Sequence, residues 1–329
     1  MTKKLFTTLL VSLMSLLLVF ACVACGDKST NSDNGTSADN LLDFSEYVHY
    51  EASDEGDSYI AYIEDENPYF FQKLLKVAKN IDIQVSDDTD SLPEETQQVL
   101  ATAFKDIIDL VNKDLNEAPV DFSEYSKVLS VYPKLSVTIH EEYNGKPVTA
   151  LGDSDVSIFF MPLIRELHLP KTLKRCAFSF LSCWSYSLEK IVIDPDNSLY
   201  SVINEKFIIQ RDRSTLVCVP QTTESLPSGI RYLARSAGFA LGYHHSEVTI
   251  PEDYEIITDI RGDMLQTISL PHSLNHIVGA FHCENLTTIN YNGTIVEWNA
   301  ILRDDNWDSN ISEDYCIHCT DGDISRKVE

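Results

Sequence analysis

The chain has 329 residues and a formal net charge of −26, because 51 acidic side chains outnumber 25 basic ones. Binding to nucleic-acid phosphates and adsorption to anionic lipid both rest on lysine and arginine, so this charge argues against a nucleic-acid partner and against direct electrostatic attachment to a membrane. With 43% hydrophobic residues, the chain can form one large domain or two ordinary ones.

The first element along the chain is an N-terminal apolar segment. Lys3 and Lys4 precede an apolar run over residues 5–20, and small residues follow it. This order is typical of a secretory signal peptide, which is removed from the mature protein. The alternative is a retained anchor helix, which the shortness of the run disfavours. We therefore assign residues 1–24 to a signal peptide.

The end of this segment predicts a lipid anchor. Val23-Ala24-Cys25-Gly26 resembles the lipobox of bacterial lipoproteins, in which the cysteine is diacylated and becomes the new N-terminus. Cys22 is a competing site, but Phe20 fits the small-residue pattern poorly. Two acyl chains suffice for stable anchoring, so this lipid is the expected membrane attachment. The polar residues that follow predict a flexible tether, and residues 25–40 are assigned to the lipidated cysteine and this tether.

Residues 41–135 predict a small α+β domain. "YVHYEAS" and "DSYIAYIED" flank "DEGD", which is the pattern of two strands and a turn. Pro68 predicts the start of a helix that continues to Asn80. A second helix begins at the capping sequence "SLPE" of residues 91–94. Its apolar stripe, at spacings of 3 and 4, indicates packing on a core and comprises Leu100, Phe104, Ile107, Val111 and Leu115.

From residue 137 onward, short apolar triplets recur between polar turns. "LHLP" at 167–170, "VCVP" at 217–220, "VTIP" at 248–251 and "ISLP" at 268–271 end in proline, and "VIDP" at 192–195 and "INYN" at 289–292 hold equivalent places. Measured at the fourth residue, the steps are 25, 25, 31, 20 and 21. Such a period with one short strand each predicts a solenoid, whose units bury their apolar faces only against neighbours. The residues expected to point inward between strands are Leu173, Ala177, Phe178, Leu274, Ala280 and Phe281.

These segments, together with "LPKTLKRCAF", "SLPHSLNHIVGAF", "INYNGTIVEWNAI" and "CTDGD", resemble the BspA-type leucine-rich repeats of bacterial surface proteins. The resemblance covers residues 137–324, and the last two pieces are similar to the closing turns of such arrays. Residues 231–263 depart from the repeat pattern, so an irregular stretch is expected there. The resemblance implies an α+β fold in which a short-strand leucine-rich-repeat solenoid with a C-terminal cap, residues 136–329, follows the small N-terminal domain.

Two cysteines near the C-terminus are candidate metal ligands. Cys316-Ile-His-Cys319 has the spacing of half a zinc site, but the other cysteines beyond the tether are scattered singly with no second close pair, and zinc takes four ligands. We therefore predict no metal and no cofactor, and expect structural thiols. Disulfide pairing cannot be assigned from spacing among the six cysteines of this region. These are Cys176, Cys183, Cys218, Cys283, Cys316 and Cys319, and the resemblance implies that Cys183 and Cys283 are buried.

Three other clusters of residues are candidate functional sites, and each also has a simpler explanation. Arg261-Gly262-Asp263 resembles an integrin-recognition tripeptide and is the candidate binding motif, although so short a match favours an ordinary polar turn. His244, His245 and Glu247 lack the nucleophile that a catalytic base would serve. Asp194-Pro-Asp-Asn197 is too small a set of oxygen ligands for calcium.

The sequence therefore predicts a bacterial surface protein, lipid-anchored to the cell membrane and outside the cytoplasm. Its solenoid is expected to bind an extracellular protein or polysaccharide in adhesion, and no catalytic residues are identified. An envelope scaffold with no soluble ligand is the first alternative, and an extracytoplasmic hydrolase is the second. The ligand, the binding face and the oligomeric state do not follow from the sequence.

The lipobox generates the first testable prediction. Cys25→Ser should abolish incorporation of a labelled fatty acid and move the protein from the detergent phase to the aqueous phase, because the acceptor thiol is lost. Cys22→Ser is the matched control and should leave both signals unchanged. Loss of lipid from the control variant alone would assign the anchor to Cys22 instead.

Overall fold

The computed structural model describes residues 41–63, 76, 98–99, 102–103, 105–116, 122–130, 132–152, 163–211, 214–220, 223, 225–243 and 245–325. The predicted signal peptide, the lipobox cysteines and the tether lie outside the described residues. So does the predicted helix from Pro68 to Asn80, apart from Lys76, which is helical.

The described chain is built mainly from short strands. In chain order these are β1 Leu42–Asp43, β2 Val48–Ala52, β3 Tyr59–Ile63, β4 Leu135–Thr138, β5 Glu142–Tyr143, β6 Lys146–Leu151, β7 Ile164–Leu169, β8 Arg175–Cys176, β9 Lys190–Ile193, β10 Tyr200–Ile203, β11 Phe207–Gln210, β12 Thr215–Cys218, β13 Tyr232–Leu233, β14 Glu247–Thr249, β15 Ile256–Thr258, β16 Thr267–Leu270, β17 His276–Val278, β18 His282–Cys283, β19 Thr288–Tyr291, β20 Leu302–Arg303, β21 Asn310–Ile311, β22 Cys316–Cys319 and β23 Gly322–Ser325. The helices are α1 Lys105–Asn116, α2 Phe122–Leu129, α3 Phe178–Trp184, α4 Arg235–Leu241 and α5 Ile295–Ala300, with a 3-10 turn at Ser45–Tyr47.

The C-terminal strands form a coil with three sides. The first ladder is β14-β16-β19-β22, parallel throughout, with β23 added antiparallel at its end. The second ladder is the parallel row β12-β13-β15-β17-β20. The third side is the β18-β21 pair and a parallel bridge between Arg261 and His282. This mostly parallel, short-strand arrangement is that of a leucine-rich-repeat solenoid.

Stacked aliphatic residues fill the coil. In the first ladder Val248 pairs in register with Ile268, which pairs with Ile289, and Ile289 pairs with Ile317; all four side chains are buried. Leu216, Leu233, Ile257 and Ile277 form the corresponding row of the second ladder and are all 0% exposed. Full burial of one such side chain contributes about 1.5–3 kcal/mol, so each coil depends on its neighbours for stability.

Most of the predicted inward positions are confirmed. Leu173, Phe178, Leu274 and Phe281 are buried, whereas Ala177 and Ala280 are only half-buried. The predicted triplets all form strands, but these strands lie in three different rows. "LHLP" and "VIDP" form β7 and β9, which pair with each other, and "VTIP", "ISLP" and "INYN" form strands of the first ladder. "VCVP" forms β12, which belongs to the second ladder.

The irregular stretch lies elsewhere than the sequence pattern indicated. Residues 231–263 supply β13 and β15, which continue the second ladder in register, and β14, which begins the first ladder, so the expectation of irregularity there is wrong. The repeat is instead interrupted after β9, the last strand of a separate parallel row β1-β4-β7-β9, where β10, β11 and β12 form an antiparallel meander. Asn204 and Glu205, at φ 52° and 58°, reverse the chain between β10 and β11. Such a turn favours a hairpin over the next coil.

The strand-turn-strand prediction for residues 48–63 is confirmed by the antiparallel pair β2-β3. These N-terminal strands extend the repeat sheets: β1 pairs with β4 in the row β1-β4-β7-β9, and β3 pairs with β6. Phe44, Val48 and Leu129 share one core cluster with Val137 and Leu167. The predicted division at 135/136 therefore does not coincide with a break in the described core.

The second predicted helix is helical at its described positions from residue 98, and α1 continues it to Asn116. Its capping sequence, Leu100 and Phe104 lie outside the described residues. Ile107 packs against the core as the stripe predicted, and Leu110 is also buried there.

An aromatic cluster closes the C-terminal end of the core. The Trp307 ring meets Phe281 and Trp298 edge to face, each at 5.8 Å between centroids, and Tyr315 at 6.1 Å. A capping box between Thr294 and Glu297 begins α5. The backbone N–H of Ile295 donates to Asp321 at 2.8 Å, so the helix start is tied to the last hairpin.

The backbone at the end of α4 lies very close to the backbone that follows β15, and this contact requires glycine at positions 242 and 262. A Cβ on Gly262 would lie 1.8 Å from the carbonyl carbon of Gly242, and Gly262 has φ +144°. A Cβ on Gly242 would in turn lie 2.5 Å from the carbonyl oxygen of Arg261. Neither position can accept a side chain without moving one backbone away from the other.

Gly262→Ala should therefore lower the free energy of unfolding by about 3 kcal/mol or more, through overpacking and backbone strain together. Gly145→Ala is the control, because Gly145 has a similarly positive φ of +74° but nothing within 4 Å of an added Cβ. It should cost only about 1 kcal/mol. Denaturant unfolding of both variants measures the difference, and equal losses would contradict the close contact.

Candidate binding groove

Two adjoining depressions lie on the outer face of the second ladder. One, of about 650 Å³, is lined among others by Arg235, Asp259, Arg261, His282 and Arg303. The other, of about 700 Å³, lies beside it and includes Tyr232 and Thr258. Both include Arg235 and Asp259, so they form one continuous feature, which we call the arginine groove and which crosses successive coils.

Asp259 organises the middle of the arginine groove. Its carboxylate accepts a hydrogen bond from the Ala280 backbone at 3.0 Å and pairs with Arg235 at 3.2 Å. The residue has φ 27°, a conformation that aspartate tolerates better than most residues. A Cβ on Gly279 would lie 2.5 Å from Asp259 Oδ1, so glycine at 279 makes room for this carboxylate. The side chain is therefore fixed between two coils.

Arg303 is held by the aromatic cluster. Its guanidinium carbon lies 4.9 Å from the Trp298 ring centroid and 5.9 Å from that of Trp307, and its Nη1 donates to the Trp298 carbonyl at 2.9 Å. Burial lowers the pKa of Arg303. Stacking on two indole rings limits the side chain's freedom, so one cation of the arginine groove is preorganised.

The second depression carries an aromatic ring beside an ion pair. Arg231 forms a two-pronged pair with Glu255, at 2.9 Å and 2.6 Å, and its guanidinium carbon lies 5.6 Å from the centre of the half-buried Tyr232 ring. An aromatic face next to planar hydrogen-bonding groups can contact both the apolar and the polar parts of a ligand.

His282 lies at the edge of the groove beside the third side of the coil. Its pKa is lowered, first by burial and then by the positive charges of Arg261 and Arg235, while Asp259 opposes the shift. Nδ1 lies 3.1 Å from the Asn310 amide nitrogen, so the neutral ring can accept a hydrogen bond there. The neutral imidazole is thus the favoured form near neutral pH.

The structure places the candidate motif Arg261-Gly262-Asp263 within the coil rather than on a loop tip. Arg261 forms the bridge to His282, and Gly262 is buried against Gly242. Asp263 is exposed at the start of a turn. Only Arg261 of the three lines the arginine groove. Its neighbours there, Arg235 and Arg303, come from distant parts of the chain and could not be grouped from sequence.

The cysteines have different surroundings. Cys218 and Cys283 are buried, and burial raises the pKa of Cys283 to about 12. Burial of Cys283 is therefore confirmed, whereas the Cys183 side chain lies outside the described residues. Cys316 and Cys319 are half-buried on β22. Cys176, Cys283, Cys316 and Cys319 are thiols that form no disulfide.

Asn197 lies in the turn of residues 194–197, which has too few oxygen ligands for a calcium site, and its side chain has a structural role. Its amide nitrogen donates to the carbonyls of Pro170 and Leu173, and its Oδ1 accepts from the backbones of Leu199 and Tyr200. This buried side chain links adjacent coils. Of the histidine cluster, His244 lies outside the described residues and Glu247 is exposed on β14.

No protein-family model matches the chain, and no curated protein matches it. The structure is similar to solved bacterial leucine-rich-repeat proteins. A leucine-rich repeat protein from Eubacterium ventriosum aligns at 14% identity and a TM-score of 0.32, covering 50% of this chain and 51% of that one. The pneumococcal vaccine antigen PcpA aligns at 17% identity and a TM-score of 0.32, covering 46% and 44%.

A leucine rich cell surface protein from Faecalibacterium prausnitzii aligns at 18% identity and a TM-score of 0.26, covering 48% of this chain and 55% of that one. The alignments thus span about half the length of these three structures. At such identities and TM-scores, the assignment of the fold rests on the ladders described above. Within the described residues, no helix has both the length and the apolar composition needed to cross a membrane.

The environment of His282 predicts how acid affects stability. A histidine whose pKa is lowered by folding stabilises the native state above its ordinary pKa, and this stability is lost as the pH falls through the folded value. The wild type should therefore lose more stability between about pH 8 and about pH 5 than His282→Asn, which cannot titrate there. Urea unfolding at both pH values measures this difference.

His272 provides a control of opposite sign. Its pKa is raised by the hydrogen bond to Glu297 and by that carboxylate's charge. Its stabilisation is present at low pH and is lost as the pH rises through the folded value. His272→Asn should therefore cost more at about pH 5 than at about pH 8. The same sign for both variants would contradict the assigned environment of His282.

Proposed function

We propose that this protein is a lipid-anchored bacterial cell-surface protein of the adhesion type, whose solenoid binds an extracellular polysaccharide through the arginine groove. The observation that carries the proposal is the continuity of the two depressions across successive coils of the second ladder. A linear polymer can contact several coils at once in such a feature. Each depression alone is the size of a small-molecule site, within about 300–1,000 Å³.

The chemistry of the arginine groove favours a glycan that bears carboxylates and hydroxyls. Guanidinium groups of Arg235 and Arg303 can form paired hydrogen bonds with carboxylates. Asp259, Thr258 and Asn306 carry the oxygens and amide groups that hydrogen-bond to hydroxyls. Tyr232 adds a ring face for the apolar side of a sugar. The first depression also carries Asp259, Asp304 and Asp305 beside Arg235, Arg261 and Arg303, so the arginines attract anionic groups locally rather than through an excess of positive charge.

The proposed anchor fits this role. The lipobox sequence around Cys25 would attach the chain to the cell membrane, and the polar tether that follows would let the solenoid extend from the surface. The lipid and the tether therefore account for location, and the arginine groove accounts for recognition.

The test is a binding screen of the purified protein against uronic-acid polysaccharides, sialylated mucin, neutral glycans and matrix proteins. We expect binding to the carboxylate-bearing glycans. Arg235→Ala should weaken it about tenfold to a hundredfold, because a hydrogen bond to a charged group contributes about 1.5–3 kcal/mol. Tyr232→Ala should weaken it as well, through loss of the ring contact.

Arg165→Ala is the matched control for Arg235→Ala. Arg165 lies on β7, outside the arginine groove, and also forms an ion pair, with Glu189 at 2.6 Å. The Arg165→Ala variant should bind glycan as tightly as the wild type does. Binding to matrix proteins and to no glycan would show that the ligand is a protein rather than a polysaccharide. No binding in any panel would favour an envelope scaffold, and equal losses in both arginine variants would place the site elsewhere.

A further inference from the structure

The hairpin that ends the first ladder brings together three metal-ligating side chains. The donor atoms of Cys316, His318 and Asp323 all lie within 4.8 Å of one another. His318 Nδ1 and Asp323 Oδ1 are 2.8 Å apart. We propose that this cluster is a zinc-binding site formed by the Cys316 sulfur, the His318 imidazole and the Asp323 carboxylate, with water in the fourth position.

Strand pairing explains why these side chains meet. Residues two apart on a strand point to the same side, and cross-strand partners share a face. Cys316 and His318 are two apart on β22, and His318 pairs in register with Asp323 on β23. Cys319, at the other end of the sequence motif, packs against the hydrophobic core instead. The sequence pattern predicts no metal here because the two cysteines alone are too few ligands, and the structure adds an aspartate from the neighbouring strand to one of them.

The core below the hairpin makes the site rigid. Ile317, which lies between Cys316 and His318 in the sequence, is buried in the hydrophobic core, and its cross-strand partner Ile324 packs against the same core. On its other edge β22 pairs with β19 throughout Cys316–His318. The two ligands on β22, a strand that is paired on both edges, therefore need little reorganisation to bind an ion.

The donor set selects the class of metal. Calcium and magnesium take oxygen ligands, whereas sulfur and nitrogen together favour zinc among abundant divalent ions. Zinc with three protein ligands keeps a fourth position for water. The side chains of His318 and Asp323 are 45% and 61% exposed, so an ion can reach them from solvent. Binding would release the thiol proton, because the thiolate is the form that binds a metal ion.

The test is titration of the purified, reduced full chain with zinc and with cobalt. One zinc should bind per chain, and cobalt should give the thiolate charge-transfer and visible bands of a tetrahedral site. Cys316→Ser should remove the charge-transfer band, and His318→Asn and Asp323→Asn should each weaken zinc binding tenfold or more. Zinc should also raise the melting temperature of the wild type but not that of Cys316→Ser.

Cys319→Ser is the matched control, because it removes a thiol from the same strand that lies against the core. It should keep the cobalt spectrum and the zinc affinity of the wild type. Circular dichroism of the apo variants checks that each remains folded. The proposal is overturned if the wild type binds no zinc, or if Cys319→Ser abolishes binding as completely as Cys316→Ser. A cobalt spectrum that lacks the thiolate band would overturn it equally.

Discussion

The stacked row of Val248, Ile268, Ile289 and Ile317 is the interaction on which the C-terminal half of the molecule depends. No coil is thick enough to bury its own apolar side, so each aliphatic residue is sheltered by the coil before and the coil after it. The aromatic cluster around Trp307 adds ring contacts to this packing in the last described coils.

Stacking also leaves the outward positions free to carry function. Side chains on the outer face of the second ladder come from coils far apart in sequence, yet they share one groove because the strands between them are in register. Asp259 and Arg303 are fixed by contacts with neighbouring coils rather than by their own strands. A groove assembled in this way can change its polar residues while the inward row stays the same.

The terminal hairpin follows the same division between faces. Ile317 and Cys319 contribute to the core, whereas Cys316 and His318 face outward with Asp323. The short motif "CIHC" therefore contributes side chains both to the core and to the outer face, and its spacing alone does not show which residues do which. The close packing of Gly242 on Gly262 similarly gives the tripeptide at residues 261–263 a structural reason to contain glycine.

Sequence alone predicted the repeat, most inward positions, the β2-β3 hairpin and the second helix, because burial imposes a local period on apolar residues. It misplaced "VCVP" and the irregular stretch, since inward triplets look alike in either ladder and only pairing distinguishes them. Of the arginine groove it named Arg261 alone, and it missed Asp323 in the terminal cluster. Those groupings depend on register between strands distant in the chain or across a turn, which only the tertiary structure decided.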